Sequence, residues 1–409
     1  MTDVKSDTQA DICIVGGAGH VGLPLALVFA SKGLRVLIFD INEHTLETIK
    51  QGIVPFMEHG AEPLLKQALE KELLYLSSNP ADVAKATTTI ITIGTPVDEF
   101  LNPVLKLIKD CMEDLLPYLS CGQLLILRST VYPGTTEWLD KYLSSNGKQL
   151  KIAFCPERVV QGHAIEESQK LPQIVSGTTP EAEREAAELF SLITSEVVHL
   201  SPMEAEFAKL LNNAYRYIQF AVANQFYMIM NSAGVDYHRV LQGMKQNYPR
   251  ARDIPMPGLA AGPCLFKDTM QLAAFSDNQF SLGHAAMLVN EGLVMYLVDE
   301  IAKKYRIERL TVGLLGMAFK ANSDDIRSSL SYKLKKILEF RAKEVHTTDP
   351  YVTTDPTLLP LETVVAKSDL LILCVPHSNY RHLDTKGKPV VDIWGFLGKE
   401  ALVSSAVGG

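Results

Sequence analysis

Residues 11–40, DICIVGGAGHVGLPLALVFASKGLRVLIFD, decide the fold class of this 409-residue chain. The run DICIVG is apolar, as expected for a buried parallel strand, and the glycine turn GAGHVG (17–22) follows it. A helical pattern from Leu23 to Lys32 then leads to a second strand, LRVLIFD, which ends at Asp40. A glycine turn between a strand and a helix, within a unit of about 30 residues, predicts a dinucleotide-binding Rossmann domain.

The three glycines of the turn have distinct physical uses. Gly17 allows the tight turn, Gly19 lets backbone amides approach a pyrophosphate, and Gly22 lets the helix pack closely on the strand. Asp40 lies 18 residues after Gly22, where a carboxylate accepts the adenosine ribose hydroxyls and repels a 2′-phosphate. We therefore predict NAD as the cofactor; the alternative is a turn that serves packing alone.

The composition is that of an ordinary globular protein, with 47% hydrophobic and 21% charged residues, which excludes a disordered or collagen-like chain. The net charge of −8 argues against nucleic acid or an anionic membrane surface as the main partner. The polar N-terminal segment does not resemble a signal peptide. No apolar run approaches the roughly 18 residues that span a bilayer.

The cysteines and histidines predict neither disulfides nor a metal site. The six cysteines have no paired spacing, which favours a reducing cytoplasm. The ten histidines show no ligand spacing, and we interpret His377 and His382 as surface loop residues.

Alternating strands and helices continue beyond the first unit. Apolar runs end in IGTP (93–96), RST (128–130) and CPER (155–158), which predicts a doubly wound parallel sheet over roughly residues 11–200. Helical periodicity without strand signals then runs from Ser201 to about residue 244. Ser201 is a predicted N-cap that forms a capping box with Glu204.

The last part of the chain returns to an α/β pattern. A loop rich in Pro, Gly and Arg covers about 247–264, and a helical segment covers 283–305. Three strands are predicted after it: 309–319, 343–350 and 368–376. The second of these ends at Asp349, the position that Asp40 has in the first half, but this half lacks the glycine fingerprint.

A candidate nucleophile lies in GPCLFKD (262–268). Lys267 lies three residues after Cys264, and Asp268 lies four residues after it. A nearby cation lowers the pKa of a thiol, and the thiolate is the nucleophile. The alternative is that Cys264 is a small buried hydrophobic residue. The other five cysteines suit that alternative better, and three of them lie in or at the ends of apolar strands: Cys13, Cys155 and Cys374.

Lys209 and Asn213 form a second candidate constellation. They are four residues apart in a predicted helix, so they share a face. Apolar residues flank Lys209 on both sides, and a lysine beside an amide can stabilise a developing oxyanion. The alternative is a snorkelling lysine next to a surface asparagine.

Together these motifs resemble those of the nucleotide-sugar 6-dehydrogenases, the family of UDP-glucose and UDP-N-acetylhexosamine dehydrogenases. The resemblance covers nearly the whole chain and rests on seven ordered segments. They are GAGHVG, IGTP, RSTVYPGTT, CPERV, the lysine–asparagine helix, GPCLFKD and GLLGMAFKANSDDIRSS (313–329).

The resemblance implies a four-electron oxidation of a sugar C6 alcohol to a carboxylate, with two NAD used in turn. Cys264 would attack the C6 aldehyde to form a thiohemiacetal. A second hydride transfer would give a thioester, which water assisted by Glu157 would hydrolyse. The remaining matches to catalytic groups are Lys209 and Asn213 for the oxyanion, and Asp268 and Thr130 for positioning water.

The resemblance also implies binding residues and a homodimer. Cofactor contacts are implied at Gly17, Gly19, His20, Val21, Gly22, Asp40, Thr95, Thr130, Lys267 and Arg327. Contacts to a UDP-sugar substrate are implied at Glu157, Arg158, Lys209, Asn213, Arg250, Arg252, Gly258, Phe319 and Lys320. In relatives an arginine of the cysteine loop can come from the neighbouring subunit, which implies a homodimer through the central helices.

We therefore expect an α/β fold of two doubly wound Rossmann-like domains joined by a central helical dimerisation domain. The NAD-binding domain is expected over 1–200, and the central domain with the cysteine loop over 201–305. A C-terminal nucleotide-sugar-binding domain is expected over 306–409.

Several positions depart from the family pattern. UDP-glucose dehydrogenases usually have Gly-Gly-Ser before the cysteine and UDP-N-acetylmannosamine dehydrogenases Gly-Gly-His, whereas this chain has AGP at 261–263. Gln161 replaces a second acid that is common after the Pro-Glu, and His20 replaces a tyrosine common in the glycine turn. Arg158 and the YPGTT at 132–136 resemble the N-acetylhexosamine branch, so a UDP-N-acetylhexosamine is the expected substrate and UDP-glucose the alternative.

Two other classes of function compete with this one. A 6-phosphogluconate- or 3-hydroxyacid-type dehydrogenase shares the NAD domain and the lysine–asparagine pair, but Cys264 and the second α/β domain speak against it. A non-catalytic nucleotide-sensing protein could keep the fold. Five retained residues together argue against that function: Cys264, Lys209, Asn213, Asp268 and Glu157.

Overall fold

The structure is a computed structural model, and it describes residues 9–99, 101, 103–259 and 262–398. The chain divides into two compact units, Met1–Asn212 and Asn213–Gly409. The three domain bounds expected from the sequence remain a prediction.

The first unit is built on an eight-stranded sheet. Its strands are β1 (Ala10–Val15), β2 (Val36–Phe39), β3 (Leu74–Ser77), β4 (Ala86–Ile91), β5 (Leu124–Leu127), β6 (Lys151–Phe154), β7 (Gln173–Gly177) and β8 (Val197–His199). The spatial order is β3-β2-β1-β4-β5-β6-β7-β8. It changes direction between β1 and β4, which is where doubly wound sheets bind nucleotides. The predicted parallel pairing is confirmed through β6, whereas β7 runs antiparallel to β6.

Helices cover both faces of this sheet. They are α1 (Gly22–Ser31), α2 (Glu43–Lys50), α3 (Ala61–Glu70), α4 (Lys106–Leu115), α5 (Thr135–Ser145), α6 (Ala164–Lys170), α7 (Pro180–Ser191) and the start of α8 (Pro202–Ser232). In β1, Ile12 and Ile14 belong to one hydrophobic cluster, and Cys13 and Val15 to another. Because successive side chains of a strand point to opposite faces, the apolar run of β1 supplies a core on each side of the sheet.

The second unit contains a smaller parallel sheet and most of the helical segment. Its strands are β9 (Thr311–Leu315), β10 (Glu344–Thr348), β11 (Leu370–Leu373) and β12 (Val390–Val391), in the order β10-β9-β11-β12. Besides the rest of α8, its helices are α9 (Tyr237–Lys245), α10 (Leu265–Phe275), α11 (Ser281–Lys304), α12 (Leu330–Arg341) and α13 (Leu361–Lys367).

The helical segment differs from its prediction in two places. The helix expected to run to about residue 244 divides into α8 and α9, because Gly234 has a φ of 69° and the Asp236 carboxylate caps a new helix at the amides of His238 and Arg239. The loop expected up to residue 264 ends there, and α10 follows at once. At the start of α8, the Ser201 amide donates to the Glu204 carboxylate at 2.8 Å, which is one half of the predicted capping box.

Of the helices that the structure describes, α11 alone is long and apolar enough to cross a bilayer by length and composition. A core helix passes the same test. Leu293, Val294, Leu297 and Val298 of α11 are buried in a hydrophobic cluster of the second unit, which accounts for its apolar sequence.

The second sheet also has an acid after its second strand, Asp349, but groups of the protein itself bind this carboxylate. Asp349 Oδ2 accepts the amides of Met317 at 2.6 Å and Ala318 at 3.0 Å, and lies 3.0 Å from His377 Nε2. Burial alone would raise the pKa of Asp349, but His377 and the amides hold it below its ordinary value. The interpretation of His377 as a surface residue is therefore wrong, because its side chain is fully buried. His382 is exposed.

Candidate active site

The glycine turn of the first unit is shaped for a dinucleotide. A Cβ on Gly17 would lie 2.6 Å from the carbonyl oxygen of Ile14, and one on Gly22 would lie 2.5 Å from the Cα of Gly17. Gly19 is exposed, and its nearest neighbouring atom would be 3.5 Å from a Cβ. Val21 is the N-cap of α1. The turn thus packs tightly on its inner side and leaves an open helix N-terminus, which suits a pyrophosphate.

Asp40 is held beside this turn. Its Oδ2 accepts the Ala18 amide at 3.0 Å and its Oδ1 accepts the Asn42 amide at 3.0 Å. The residue is partly exposed, so lone pairs of both oxygens remain for ribose hydroxyls. The residues present therefore fit NAD.

The loops after β4 and β5 meet at the same edge of the sheet. The Thr95 hydroxyl donates to the carbonyl oxygen of Thr130 at 2.5 Å. The Ser129 hydroxyl donates to the carbonyl oxygen of Ile93 at 2.6 Å. The structure thus brings Thr95 and Thr130 together, as their shared place at adjacent strand ends requires.

Glu157 is anchored by a guanidinium that sequence reasoning missed. Glu157 Oε2 accepts Arg128 Nε at 2.9 Å and Nη2 at 2.5 Å, and Oε1 accepts the amides of Arg158 at 2.8 Å and Val159 at 3.0 Å. The Arg128 side chain is 1% exposed. Four N–H groups thus hold the Glu157 carboxylate in place. The available signal was a single cation at the end of the apolar run LLILR.

Arg158 lies in the same loop but points its guanidinium at the protein. One Nη donates to the carbonyl oxygen of Pro172. Burial lowers the pKa of Arg158 below its ordinary value, while the charge of Glu157 opposes this effect. The half-buried guanidinium of Arg158, a predicted substrate contact, is thus bound to the carbonyl oxygen of Pro172.

A second missed residue, Glu206, caps the YPGTT segment. The carboxylate of Glu206, on α8, accepts the amides of Gly134 at 2.6 Å and Thr136 at 2.8 Å, together with the Thr136 hydroxyl at 2.6 Å. These donors form the N-terminus of α5. Burial raises the pKa of Glu206. Its fixed spacing from Lys209 in α8 gave no sign of this contact.

In the second unit, Cys264 is an exposed thiol at the N-cap of α10. The positive end of a helix favours a thiolate. Burial would lower the pKa of Arg327, but Asp325 raises it above its ordinary value, and the charge of Cys264 adds to the rise. Arg327 therefore lies close to Cys264. By contrast, burial raises the pKa of Cys155 and of Cys374 to about 12. Of these thiols, Cys264 alone has the setting of a nucleophile.

Asn213 and Lys267 both engage the buried Asp268. Asp268 Oδ2 accepts a hydrogen bond from the side-chain Nδ2 of Asn213 at 2.6 Å. Lys267 Nζ lies 3.1 Å from Oδ1 but without hydrogen-bond geometry, so this is an ion pair only. Lys209 is half-buried and makes no hydrogen bond or ion pair with any residue that the structure describes. Lys267, which the sequence predicts as the cation near Cys264, thus shares its charge with Asp268.

Phe319 and Gly262 set the backbone before Cys264. Gly262 has a φ of +116°, and a Cβ on it would lie 2.6 Å from the Phe319 ring. The Phe319 amide donates to the carbonyl oxygen of Asp325 at 2.9 Å. Lys320 Nζ lies 5.9 Å from the centre of the Phe319 ring. The predicted segment 313–329 therefore contacts the cysteine turn directly.

Both backbone groups of Gly258 are bound by Asn224, which Asn290 binds in turn. The amide of Gly258 donates to Asn224 Oδ1 at 2.8 Å, and its carbonyl oxygen accepts Asn224 Nδ2 at 3.2 Å. Asn290 Oδ1 accepts Asn224 Nδ2 at 2.9 Å. A Cβ on Gly258 would lie 2.4 Å from the Trp394 ring. The predicted contact residue Gly258 is thus a fixed point of the loop that leads to Cys264.

Arg250 and Arg252 lie on the surface of this loop. Arg250 stacks on Tyr248 with 5.6 Å between the guanidinium carbon and the ring centre. Arg252 Nε lies 3.6 Å from Asp253, and both side chains are exposed. In the part of the chain that the structure describes, the contacts given for Arg250 and Arg252 are with Tyr248 and Asp253, neither of which is a predicted site residue. Among the described residues, no group of three or more His, Cys, Asp or Glu side chains is placed to hold a metal ion.

Three family models match this chain in order. The NAD-binding domain of the UDP-glucose/GDP-mannose dehydrogenase family matches residues 10–194, its central domain 203–292 and its UDP-binding domain 313–399. The chain belongs to this family. It is an NAD-dependent nucleotide-sugar dehydrogenase that acts on a CH–OH group.

Relatives of this dehydrogenase cover nearly its full length. It is 29% identical to an NDP-N-acetyl-D-galactosaminuronic acid dehydrogenase of Ralstonia nicotianae, over 93% of this chain and 95% of the relative. It is 29% identical to a UDP-N-acetyl-D-mannosamine dehydrogenase of Pyrococcus horikoshii, over 90% of each chain. The solved structure of a UDP-D-ManNAc dehydrogenase from Pyrococcus horikoshii superimposes with a TM-score of 0.85, at 28% identity and 91% coverage of each chain. The expected family, fold class and cofactor are confirmed.

Proposed function

We propose that this dehydrogenase oxidises the C6 alcohol of a UDP-N-acetylhexosamine to the carboxylate through a covalent intermediate on Cys264. The proposal rests on the exposed Cys264 at the N-terminus of α10, one turn before the Asp268 that Asn213 binds. Near full-length relatives that are named for N-acetylated sugars support this sugar class over UDP-glucose.

The proposed chemistry has two oxidations and one hydrolysis. NAD, when bound, accepts a hydride from the substrate carbon in each oxidation. Between them, the Cys264 thiolate adds to the C6 aldehyde, and the carbonyl electron pair moves to the oxygen. The second oxidation converts this thiohemiacetal to a thioester. A water oxygen then attacks the carbonyl carbon, the C–S bond breaks, and the thiolate returns as the carboxylate forms.

The proposed roles follow from the charges of each group. Lys209, which is not paired within the described residues, and the second N–H of Asn213 stabilise the oxyanion. Asp268 and Thr130 position water. Glu157, which Arg128 holds in place, assists that water.

The ratio of NADH formed to sugar consumed tests this function. We expect two NADH per sugar with a UDP-N-acetylhexosamine, from assays of UDP-N-acetylglucosamine, UDP-N-acetylmannosamine, UDP-N-acetylgalactosamine, UDP-glucose, UDP-galactose and GDP-mannose. One NADH per sugar would contradict the covalent scheme. Two NADH with UDP-glucose alone would contradict the sugar class, and no NADH with any of them would contradict the function.

Cys264→Ala tests the nucleophile. Without the thiol no thioester forms, so we expect no uronic acid and an unchanged NAD affinity, measured by calorimetry. Cys121→Ala, which removes another exposed thiol, is the matched control and should turn over as the wild type. Uronic acid formation by Cys264→Ala would refute the covalent intermediate.

We also propose a cytoplasmic homodimer that pairs through α8. Exposed apolar side chains repeat along the part of α8 in the second unit, at Tyr215, Val222, Phe226 and Ile229. Their spacing places them on one stripe of the helix. A second copy of the chain, which presents the same stripe, would bury it. Phe226→Asp should shift the sedimentation coefficient to that of a monomer, whereas Phe340→Asp, at an exposed phenylalanine of α12, should not. A dimeric Phe226→Asp would refute this interface.

A further inference from the structure

His20 and Gln161 meet in the first unit. His20 lies in the glycine turn before α1, and Gln161 lies in the loop between β6 and α6, four residues after Glu157. Gln161 Nε2 lies 2.9 Å from His20 Nδ1. Two side chains that are 141 residues apart in sequence therefore form one contact.

The contact assigns complementary roles to the two side chains. The Nε2 of an amide is only a donor, so the hydrogen bond forms with His20 Nδ1 as the acceptor. The ring itself is held in place by Phe56, whose centre lies 4.0 Å from that of His20. The imidazole thus serves as a fixed acceptor for the loop, rather than as a freely rotating side chain.

The loop with Gln161 is anchored on both sides of this contact. At its start, Arg128 holds Glu157. Beyond Gln161, the buried Glu58 accepts the amides of Gly162 at 3.0 Å and Ile165 at 3.2 Å. The stretch between the anchors, which includes Arg158 and Gln161, is therefore held at both ends.

We propose that His20 and Gln161 are positioning residues that couple the dinucleotide turn to the loop of Glu157 and Arg158. This inference rests on the proposed function, because it takes the turn as the cofactor site and the loop as part of the sugar site. A change in the loop then alters NAD affinity, and a change in the turn alters the use of the sugar. Neither effect follows if each residue serves only its own segment.

A double-mutant cycle with crossed measurements tests the coupling. His20→Phe keeps a ring against Phe56 but removes the acceptor, and Gln161→Met keeps the length of the side chain but removes the donor. We expect Gln161→Met to weaken NAD binding by about 2- to 10-fold, the value of one hydrogen bond, in calorimetry without sugar. We expect His20→Phe to raise KM for the sugar more than it lowers kcat. The double variant should be no worse than the worse single variant.

The outcomes distinguish the coupling from a local role and from a failure of the proposed function. Additive effects, or a Gln161→Met variant with wild-type NAD affinity, would overturn the inference. The calorimetric cycle needs no turnover, so it remains decisive even if none of the sugars is oxidised. His44→Phe and Gln169→Met change an exposed histidine and an exposed glutamine of the same unit and should leave both measurements unchanged.

A pair exchange provides the rescue. His20→Tyr together with Gln161→Glu replaces the contact by another hydrogen-bonded pair, since a phenol can donate to a carboxylate. We expect the double exchange to restore the NAD affinity that Gln161→Met loses. A double exchange that binds NAD as weakly as Gln161→Met would show that the contact does not transmit the effect, and would also overturn the inference.

Discussion

At the scale of single residues, the ion pair of Arg128 and Glu157 contributes to the stability of the first unit and also holds the carboxylate proposed to assist water. The Arg128 side chain is 1% exposed and that of Glu157 12% exposed. Arg128 also donates to the carbonyl oxygen of Cys155 at 3.1 Å and to Gln173 Oε1 at 3.0 Å, and its guanidinium lies 5.0 Å from the centre of the Phe190 ring. A cation held by so many contacts fixes the carboxylate that it binds.

Arg128→Met should therefore destabilise the first unit strongly. Removal of one partner leaves the Glu157 charge buried without its counter-ion, which costs about 3–5 kcal/mol. Denaturant unfolding measures the loss. The double variant Arg128→Met, Glu157→Gln leaves neither charge buried, so we expect it to be more stable than Arg128→Met alone. A single variant as stable as the wild type would show that the pair is not a buried ion pair in solution.

At the scale of elements, the loop that leads to Cys264 is positioned by two helices. Asn224 of α8 binds both backbone groups of Gly258, and Asn290 of α11 binds Asn224 and the carbonyl oxygen of Tyr217. Both asparagines are buried. Trp394 closes the other side of Gly258 and donates its indole N–H to the carbonyl oxygen of Cys374 at 3.0 Å. The loop therefore depends on packing at one glycine.

Gly258→Ala should disturb this loop. The added methyl group would lie 2.4 Å from the Trp394 ring, and overpacking of this kind costs about 1–3 kcal/mol. We expect a lower melting temperature and a lower kcat/KM for the sugar, with NAD affinity unchanged. Adding Trp394→Leu, which gives the methyl group room, should recover part of kcat/KM.

Gly243→Ala is the matched control for this substitution. No atom lies within 4 Å of a Cβ at Gly243, in α9, where alanine is favoured over glycine by about 1 kcal/mol. Its kcat/KM should equal that of the wild type. If Gly258→Ala behaves like Gly243→Ala, the proposed dependence of the loop on Gly258 is wrong.

At the scale of the whole molecule, buried carboxylates set opposing dependences of stability on pH. Burial raises the pKa of Glu58 and Glu206 in the first unit above 4.5. Their contribution to stability is complete below pH 4.5 and is lost as the pH rises through the raised pKa values. Asp349 in the second unit has a pKa below its ordinary 3.8. Its contribution is complete above pH 3.8 and is lost as the pH falls through the lowered pKa.

Asp349→Asn tests the acid side of this balance. The variant lacks the ionised partner of His377, so we expect a lower free energy of unfolding at neutral pH. The difference from the wild type should shrink as the pH falls below 3.8. Urea unfolding from pH 3 to pH 7 measures it. A difference that stays constant over the whole range would show that the Asp349 pKa is not lowered.

The sequence alone determined the fold class, the family and the cofactor. Apolar runs, helical periodicity and the glycine turn are local patterns, and a local pattern determines which residues form a strand, a turn or a helix. The structure places Asp40 beside the glycine turn, because their spacing within one strand–helix–strand unit fixes their distance in space.

Only the tertiary structure decided which distant residues meet. It pairs Arg128 with Glu157, His20 with Gln161 and His377 with Asp349, and it places Cys264, at the end of the predicted loop, at the start of helix α10. Such partners come from different elements, and no spacing along the chain encodes their contact. They are selected when sheets and helices pack, because a charge or polar group that packing buries must find a partner there.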